Sequence, residues 1–409
     1  MPLPPASPPP LRPGAVIHGP GSYGVDALLD GFTAELKRRG FRVGGLIQRN
    51  HGPGDDCAER MELVDVATGR AYDITQRLGR ESQSCRVDPT GVAEASQAIR
   101  NAVAAKVDLL VINKFAGLES HGDGLSDEML TAIAEGIPLL TSVGSRYLNE
   151  WQSATGGFCD LLSPTADALW RWWGPQRMYP DLVQGVADAE VRRVVTGDKW
   201  VLVETGQGLG VAARQAPAAA EEDPRRWAGR SLRDLAAMAA QSWDPLEIAV
   251  GVAALNAHYN RPDVAGIPGN GLNLFASVEG RVVVVGGFPQ VASRMPRAQV
   301  IDMTPQEGEH PEAACDWLLP GAEAVAVTAS AFANRTLPRL LRVSAGARVA
   351  MIGPGTPLTP RLFDYGLDVL AGFVVTDREA VVRTIAAGGG SRDFHPHGRM
   401  VTLHRPPHS

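Results

Sequence analysis

The order of apolar and polar positions divides the chain into short apolar runs that alternate with stretches of helical period. This is the pattern of α/β units with parallel strands. Ala15–His18 reads as a buried strand, Gly19–Gly24 as a glycine-rich turn and Val25–Gly40 as an amphipathic helix. That helix places Leu28, Leu29, Phe32 and Leu36 on one face. It carries Lys37, Arg38 and Arg39 at its carboxyl end, where cations suit the helix dipole. Phe41–Gln48 predicts a second strand, and Arg60–Val66 with Arg70–Ile74 a hairpin turning at Thr68-Gly69. Val92–Ala105 predicts a helix, Val107–Asn113 a continuous apolar strand, Asp127–Glu135 a helix and Ile137–Val143 another strand. The tryptophan-rich helix Ala166–Trp173 stops at Gly174-Pro175, a breaker pair that marks a domain boundary.

Beyond that boundary the period changes. Arg192–Val195, Trp200–Glu204 and Gly210–Arg214 alternate as an antiparallel meander would, and Ala218–Asp223 predicts a loop. Ser231 caps a helix at Leu232–Gln241, and Asp244-Pro245 opens another at Leu246–Tyr259. Arg261–Gly271, rich in Gly, Asn and Pro, reads as a linker. From Arg281 the βα rhythm returns, with strands at Val282–Val285, Gln299–Met303, Ala324–Thr328, Arg348–Ile352 and Val369–Val375. The expected organisation is a tail at 1–13, an α/β domain at 14–174, an α+β part at 175–265, a second α/β part at 266–393 and a histidine-rich tail at 394–409.

Composition narrows the function classes. A chain of 409 residues holds two or three domains at roughly 150 residues each. A net charge of -6 argues against a general electrostatic grip on nucleic acid or anionic lipid. No stretch reaches the ~18 consecutive apolar residues that span a bilayer. Met1–Pro13 is proline-rich and lacks the apolar core of a signal peptide, so a cytoplasmic location is expected. Cys57, Cys85, Cys159 and Cys315 are scattered, which suits reduced, isolated thiols. The partners implied are a small molecule or metal ligand, with no nucleic acid and no membrane; assembly into a homo-oligomer stays open.

Gly19-Pro20-Gly21-Ser22-Tyr23-Gly24 fits the GxGxxG pattern between a strand and a helix, the setting of an anion-binding loop. Its more specific versions are incomplete. The second strand ends in Gln48-Arg49-Asn50, with no acid to hold a ribose. Val25-Asp26 follows Gly24, so the Lys-Ser/Thr pair of a P-loop is absent. Hydrolysis then lacks its γ-phosphate clamp and a metal ligand. A structural turn, a loop that binds without hydrolysing and an active triphosphatase all stay open. The candidate nucleotide or oxyanion contacts are Gly19, Gly21, Ser22, Gly24, Asn113 and Lys114.

Further segments carry a resemblance. They include Gly45-Leu46-Ile47-Gln48, the Thr68-Gly69 hairpin and Asp108-Leu109-Leu110-Val111-Ile112-Asn113-Lys114-Phe115. Glu119, Gly122, Gly124, Leu125, Ile137-Pro138-Leu139-Leu140-Thr141 and Trp151 complete the set. Residues 14–173 resemble an uncharacterised P-loop-like, nucleoside-triphosphatase-like family often encoded beside molybdate-transport genes. The resemblance implies a degenerate nucleotide-binding fold. Ala116-Gly117 departs from it, standing where a Gly-Lys pair is expected.

In the second half, turn-forming residues follow the strands, where an open parallel sheet places its ligand crevice. The candidate ligand contacts are Gly287, Phe288, Pro289, Asp302, Thr328, Asn334, Gly353, Gly355 and Thr356. The motifs Gly229-Arg230-Ser231-Leu232-Arg233-Asp234, Asp244-Pro245-Leu246-Glu247, Gly308-Glu309-His310-Pro311, Asn334-Arg335-Thr336 and Gly353-Pro354-Gly355-Thr356-Pro357 recur in order. On them, residues 178–390 resemble the family named for heavy-metal chelation, which joins an enolase-amino-terminal-like half to a Rossmann-like half. Glu309 and His310 are the candidate metal ligands. His395-Pro396-His397 is the one close-spaced histidine pair, and it reads as solvated.

Together these readings predict a metal- or oxyanion-linked binding protein in molybdenum or other heavy-metal homeostasis. Its candidate cofactors are a metal ion, molybdate or a nucleotide. The alternative is a nucleotide-dependent enzyme acting on a small metabolite, with Asp302 or Glu309 as acid/base. A third class is a regulatory or scaffolding protein.

Overall fold

The computed structural model describes residues 10–19, 24–51, 60–76, 87–217, 224–227, 229–269, 271–288 and 291–407. The chain divides into two compact units at Trp173/Gly174.

In the amino-terminal unit the elements are β1 (Gly14–His18), α1 (Val25–Arg38), β2 (Val43–His51), β3 (Arg60–Asp65), β4 (Ala71–Asp73), α2 (Pro89–Ala104), β5 (Leu109–Phe115), α3 (Ser126–Ala134), β6 (Leu139–Gly144), α4 (Leu148–Ala154), β7 (Asp160–Leu162) and α5 (Ala166–Trp173). Their sheet runs β4-β3-β2-β5-β6-β1-β7. The five strands from β2 to β7 are parallel, and β3 and β4 extend the β2 edge as an antiparallel hairpin. The central strands are buried on both faces, as their unbroken apolar runs demand. The tryptophans of α5 cover α1. Phe32 lies edge-on to Trp170 and Trp173, and Phe41 edge-on to Trp173, with centroids 5.2, 6.5 and 5.2 Å apart. Gly14 is required beneath this layer, since a Cβ there would sit 2.6 Å from the Trp172 ring.

The carboxyl-terminal unit begins with α6 (Met178–Gly185), β8 (Val191–Thr196), β9 (Trp200–Thr205), β10 (Leu209–Ala213), α7 (Leu232–Gln241) and α8 (Pro245–Tyr259). β11 (Ile267–Pro268), β12 (Val282–Val285), α9 (Val291–Arg294), β13 (Gln299–Asp302), β14 (His310–Pro311), α10 (Cys315–Leu318) and β15 (Ala324–Thr328) follow. The last elements are α11 (Ser330–Ala333), α12 (Leu337–Val343), β16 (Arg348–Ile352), β17 (Val369–Val375), α13 (Arg378–Ala386), α14 (Ser391–Phe394) and β18 (Gly398–His404). β8, β9 and β10 form the expected meander. The other sheet runs β11-β18-β17-β16-β15-β12-β13-β14, parallel from β17 to β14.

Two expectations need correction here. Residues 394–407 are no tail, because β18 pairs antiparallel with β17 along its whole length and Val401 is fully buried. Counting histidines hid the alternation of Met400, Thr402 and His404 with Val401 and Leu403. Arg261–Gly271 is more than a linker, since Ile267–Pro268 pairs with Val401–Thr402. The expected loop at Ala218–Asp223 lies outside the described residues.

Helix α8 is apolar all round because it is enclosed, with residues 248–257 all buried. Gly210 lets β10 touch it; a Cβ there would lie 2.1 Å from the Ala257 nitrogen. α6 is tied in by charge. Asp181 is fully buried, accepts from Arg361 and accepts the Tyr365 hydroxyl at 3.0 Å. Asp181→Ala removes a fully buried carboxylate from the partly exposed Arg361 guanidinium and leaves the buried Tyr365 hydroxyl without this acceptor, so it should destabilise this unit by about 1–3 kcal/mol in a denaturant titration. A loss below ~1 kcal/mol would contradict that role.

No helix among the described residues is long and apolar enough to cross a membrane. Cys159 and Cys315 are free thiols; Cys57 and Cys85 lie outside the described residues.

Candidate functional site

In the amino-terminal unit the site forms where β1 ends and α1 begins. Gly24 caps α1 with φ 114°, a backbone state that favours glycine. Gly19 follows β1, whereas Gly21 and Ser22 lie outside the described residues. β5 continues to Phe115, two residues past its expected end, so Asn113 and Lys114 lie within it. Their fates differ. Asn113 is fully buried; its Nδ2 donates to Asp26 Oδ1 at 2.6 Å and its Oδ1 accepts the Ser142 hydroxyl at 2.5 Å. The amide is thus consumed in holding α1, β5 and β6 together, which corrects its expected role as a direct anion contact.

Lys114 instead enters a cleft of about 410 Å³ whose walls include His18, Gly24, Asp26, Asp30, Arg49 and His51. Its side chain makes no hydrogen bond or ion pair among the described residues. Other polar side chains of the cleft have partners among the described residues. Asp26 is held by Asn113, Arg49 Nη2 lies 3.4 Å from Asp30 Oδ2, and His51 Nε2 lies 2.9 Å from Glu62 Oε2. A second cleft, about 440 Å³, lies beside the first along α1 and the β3–β4 turn. Nothing in the linear pattern announces it, because it depends on how α1 crosses the hairpin.

The segment after β5 is held by Glu119. Its carboxylate accepts the backbone N–H groups of Ala116 at 3.0 Å and Leu125 at 3.3 Å. Burial raises its pKa above the usual carboxylate value, outweighing these hydrogen bonds and the nearby charge of Lys114. Between the unfolded and folded values the folded unit keeps a proton that the unfolded chain has lost. Stability from this group is therefore full below the unfolded value and lost as pH rises through the folded one. The melting temperature of the wild type should accordingly fall relative to that of Glu119→Gln as pH rises through the weakly acidic range. A wild-type curve parallel to that of Glu119→Gln at all pH values would remove the assignment.

In the carboxyl-terminal unit the connections of the parallel sheet reverse between β12 and β15, the place where such sheets bind ligands beyond their strand ends. Gly286 has φ 102°, and a Cβ on it would lie 2.4 Å from Thr328 Cγ2. One built on Gly287 would lie 3.4 Å from Asp302 Oδ2. Gly287, Asp302 and Thr328 therefore meet at this edge. Gly353 and Gly355 close on Ala329, at 3.1 and 3.7 Å by the same construction. Phe288 packs on the core beneath the sheet, and Pro289 lies outside the described residues.

Three expected contacts are otherwise engaged. Asn334 Oδ1 accepts from the N–H and hydroxyl of Thr336, forming a local turn. Thr356 is fully buried, so it does not line an open crevice. Glu309 accepts the Gln306 N–H at 2.9 Å, while His310 starts β14. Among the described residues no three His, Cys, Asp or Glu side chains converge for a metal, so Glu309 and His310 stand without a third ligand. Linear reasoning missed Asn256 and Asn260. Asn256 from the apolar helix α8 and Asn260 at its carboxyl-terminal cap donate to the carbonyls of Gly355 and Thr356, at 3.0 and 2.9 Å, and fix the loop after β16. Two asparagines four apart on an apolar helix were the available signal.

Comparison with known proteins places these parts. Residues 14–172 match the family model described as "Protein of unknown function (DUF2478)". Residues 179–259 and 272–404 match two models, DUF4213 and DUF364, both described as "Putative heavy-metal chelation". A curated relative, "Molybdenum import ATP-binding protein ModC 2" of Bradyrhizobium diazoefficiens, is 42% identical over 164 residues. The match covers 40% of this chain and only 18% of that protein. A solved DUF364 protein of unknown function from Desulfitobacterium hafniense is 30% identical, with a TM-score of 0.51 over 56% of this chain and 98% of that one. A Pyrococcus horikoshii member is 22% identical, with a TM-score of 0.49 over 56% and 99% of the two chains. The chain is thus a fusion of two parts, an amino-terminal DUF2478 region and a carboxyl-terminal part that belongs to the DUF364 family with its DUF4213 companion.

Proposed function

We propose that the amino-terminal unit binds an oxyanion, free or as the phosphate of a nucleotide, without hydrolysing it, and that the protein serves molybdenum or other heavy-metal homeostasis. The carrying observation is Lys114, an ammonium without an ion pair among the described residues, set in the cleft beyond Gly24. A charge-assisted bond from such a group is worth more than a neutral one. Val25 and Asp26 occupy the places of the P-loop lysine and hydroxyl, which removes the parts that hydrolysis uses. The name of the molybdenum-import relative supports molybdate as the first anion to test.

In this reading the second ligand, a metal-bearing or chelating small molecule, binds the carboxyl-terminal crevice. The strand order β14-β13-β12-β15-β16-β17 supports a Rossmann-like assignment there. Any metal would arrive with its ligand, because the described residues offer no three-ligand site. The enzymatic alternative draws on one observation, the Asp302 carboxylate beside Gly287. Asp302 Oδ1 is bound by Thr304, which leaves Oδ2 toward the crevice.

Elemental analysis of the purified protein, with thermal-shift screening against molybdate, phosphate, divalent metals and nucleotides, tests the proposal. Stabilisation by an oxyanion is the expected result; stabilisation by a dinucleotide alone would overturn it. For any ligand found in the crevice, Asp302→Ala should weaken binding by about tenfold or more with the unfolding midpoint nearly unchanged. An unaltered affinity would move the site elsewhere.

A further inference from the structure

The two clefts beside α1 share Asp30, Ile47 and Arg49, so they adjoin along one wall. The ion pair on that wall is weakly built. Its charged atoms are 3.4 Å apart, and the Arg49 and Asp30 side chains are 52% and 50% exposed. Such pairs contribute little to stability, so a ligand can separate this one at small cost. The first cleft offers charge through Lys114. The second offers apolar surface from Ile47, Val64 and Val66. Thr33 also forms part of its wall; the residue is 3% exposed and its hydroxyl oxygen has no hydrogen-bond partner among the described residues. Lys37 donates to the Val66 carbonyl and ties α1 to the turn across this second cleft.

Size decides what fits. One water takes about 30 Å³, and a tetrahedral oxyanion needs only a few times that. Clefts of about 410 and 440 Å³ each fall in the roughly 300–1,000 Å³ range of sites for organic small molecules. A bare oxyanion would leave most of this groove to water, and it would leave the apolar wall unused.

We infer that the two clefts form one groove for a phosphate monoester of an aromatic or heterocyclic alcohol. The phosphate meets Lys114, and the flat body crosses Ile47 into the second cleft. Arg49 turns from Asp30 to the phosphate, since its planar fork suits two phosphate oxygens at once. This inference rests on the anion-binding reading of the first cleft and adds the class of molecule that carries the anion.

The test is calorimetric titration of the full chain with inorganic phosphate and with 1-naphthyl phosphate. Naphthyl phosphate should bind at least about tenfold more tightly, since it alone buries an aromatic ring. Ala34→Trp fills the second cleft from an exposed position on α1. It should abolish that advantage and leave inorganic phosphate unchanged. Should the tryptophan disturb folding, Thr68→Trp does the same from the exposed turn. Equal affinity for the two probes, or an advantage that survives both tryptophans, overturns the inference while leaving the anion site standing. Naphthyl phosphate failing where inorganic phosphate binds overturns the inference alone; binding of neither probe overturns the anion site itself, and the inference with it.

Discussion

Lys114→Ala is expected to weaken binding of molybdate or phosphate by about 10- to 100-fold while leaving the amino-terminal unit folded. The estimate follows from the contribution of a charge-assisted hydrogen bond, about 1.5–3 kcal/mol, at about 1.4 kcal/mol per tenfold. Folding is spared because the ammonium holds no hydrogen bond or ion pair among the described residues. The strand beneath it is kept by Leu110, Val111 and Ile112, all fully buried. Part of the affinity should return in Lys114→Arg, which restores the charge with a different shape. Calorimetry at fixed ionic strength measures both, since added salt screens such contacts. An alanine variant that binds either anion as well as the wild type does would show that the anion sits elsewhere.

Gly45→Ala should have the largest effect on folding, a loss of more than about 3 kcal/mol that unfolds the amino-terminal unit or nearly so. Gly45 lies in β2 with φ 113°, and its Cβ would stand 1.9 Å from the Val111 carbonyl oxygen. That oxygen belongs to the backbone of β5, paired with β2 at this position. It cannot withdraw without opening the sheet. Gly24→Ala is the control. Gly24 has a similar φ of 114° but, among the described residues, nothing within 4 Å of its would-be Cβ. It should lose only the backbone strain, about 1–3 kcal/mol. Denaturant unfolding followed by tryptophan fluorescence compares the two. Similar midpoints for both variants would mean that strain, and not the collision, governs this position.

The two halves of the molecule differ in how far they could be read. The central strands of both large sheets and the helices at Leu232–Gln241 and Ala166–Trp173 follow from apolar runs and caps, which act locally, whereas the short edge strands β7, β11 and β14 did not. β18 did not follow, since its histidines and proline-rich flanks resemble a solvated tail until β17 pairs with it. The paired glycines behind β12 and the acid ending β13 pointed to a strand-end crevice. The demotion of Thr356 to a buried position needed the end of α8, where the capping Asn260 donates to its carbonyl.

What the linear chain determined by itself is the alternation of strands and helices, the break at Gly174-Pro175 and the missing lysine after Gly24, because each depends on neighbours a few residues apart. Tertiary structure alone decided which charges are left over. Asn113 and Lys114 are adjacent in sequence, yet one is spent bridging Asp26 and Ser142 and the other faces an open cleft. The partners of Asn113 lie on α1 and β6, 87 and 29 residues away in sequence. Only the order of strands in the sheet brings those elements to the end of β5, and with them the division between a structural amide and a cation that has no ion pair among the described residues.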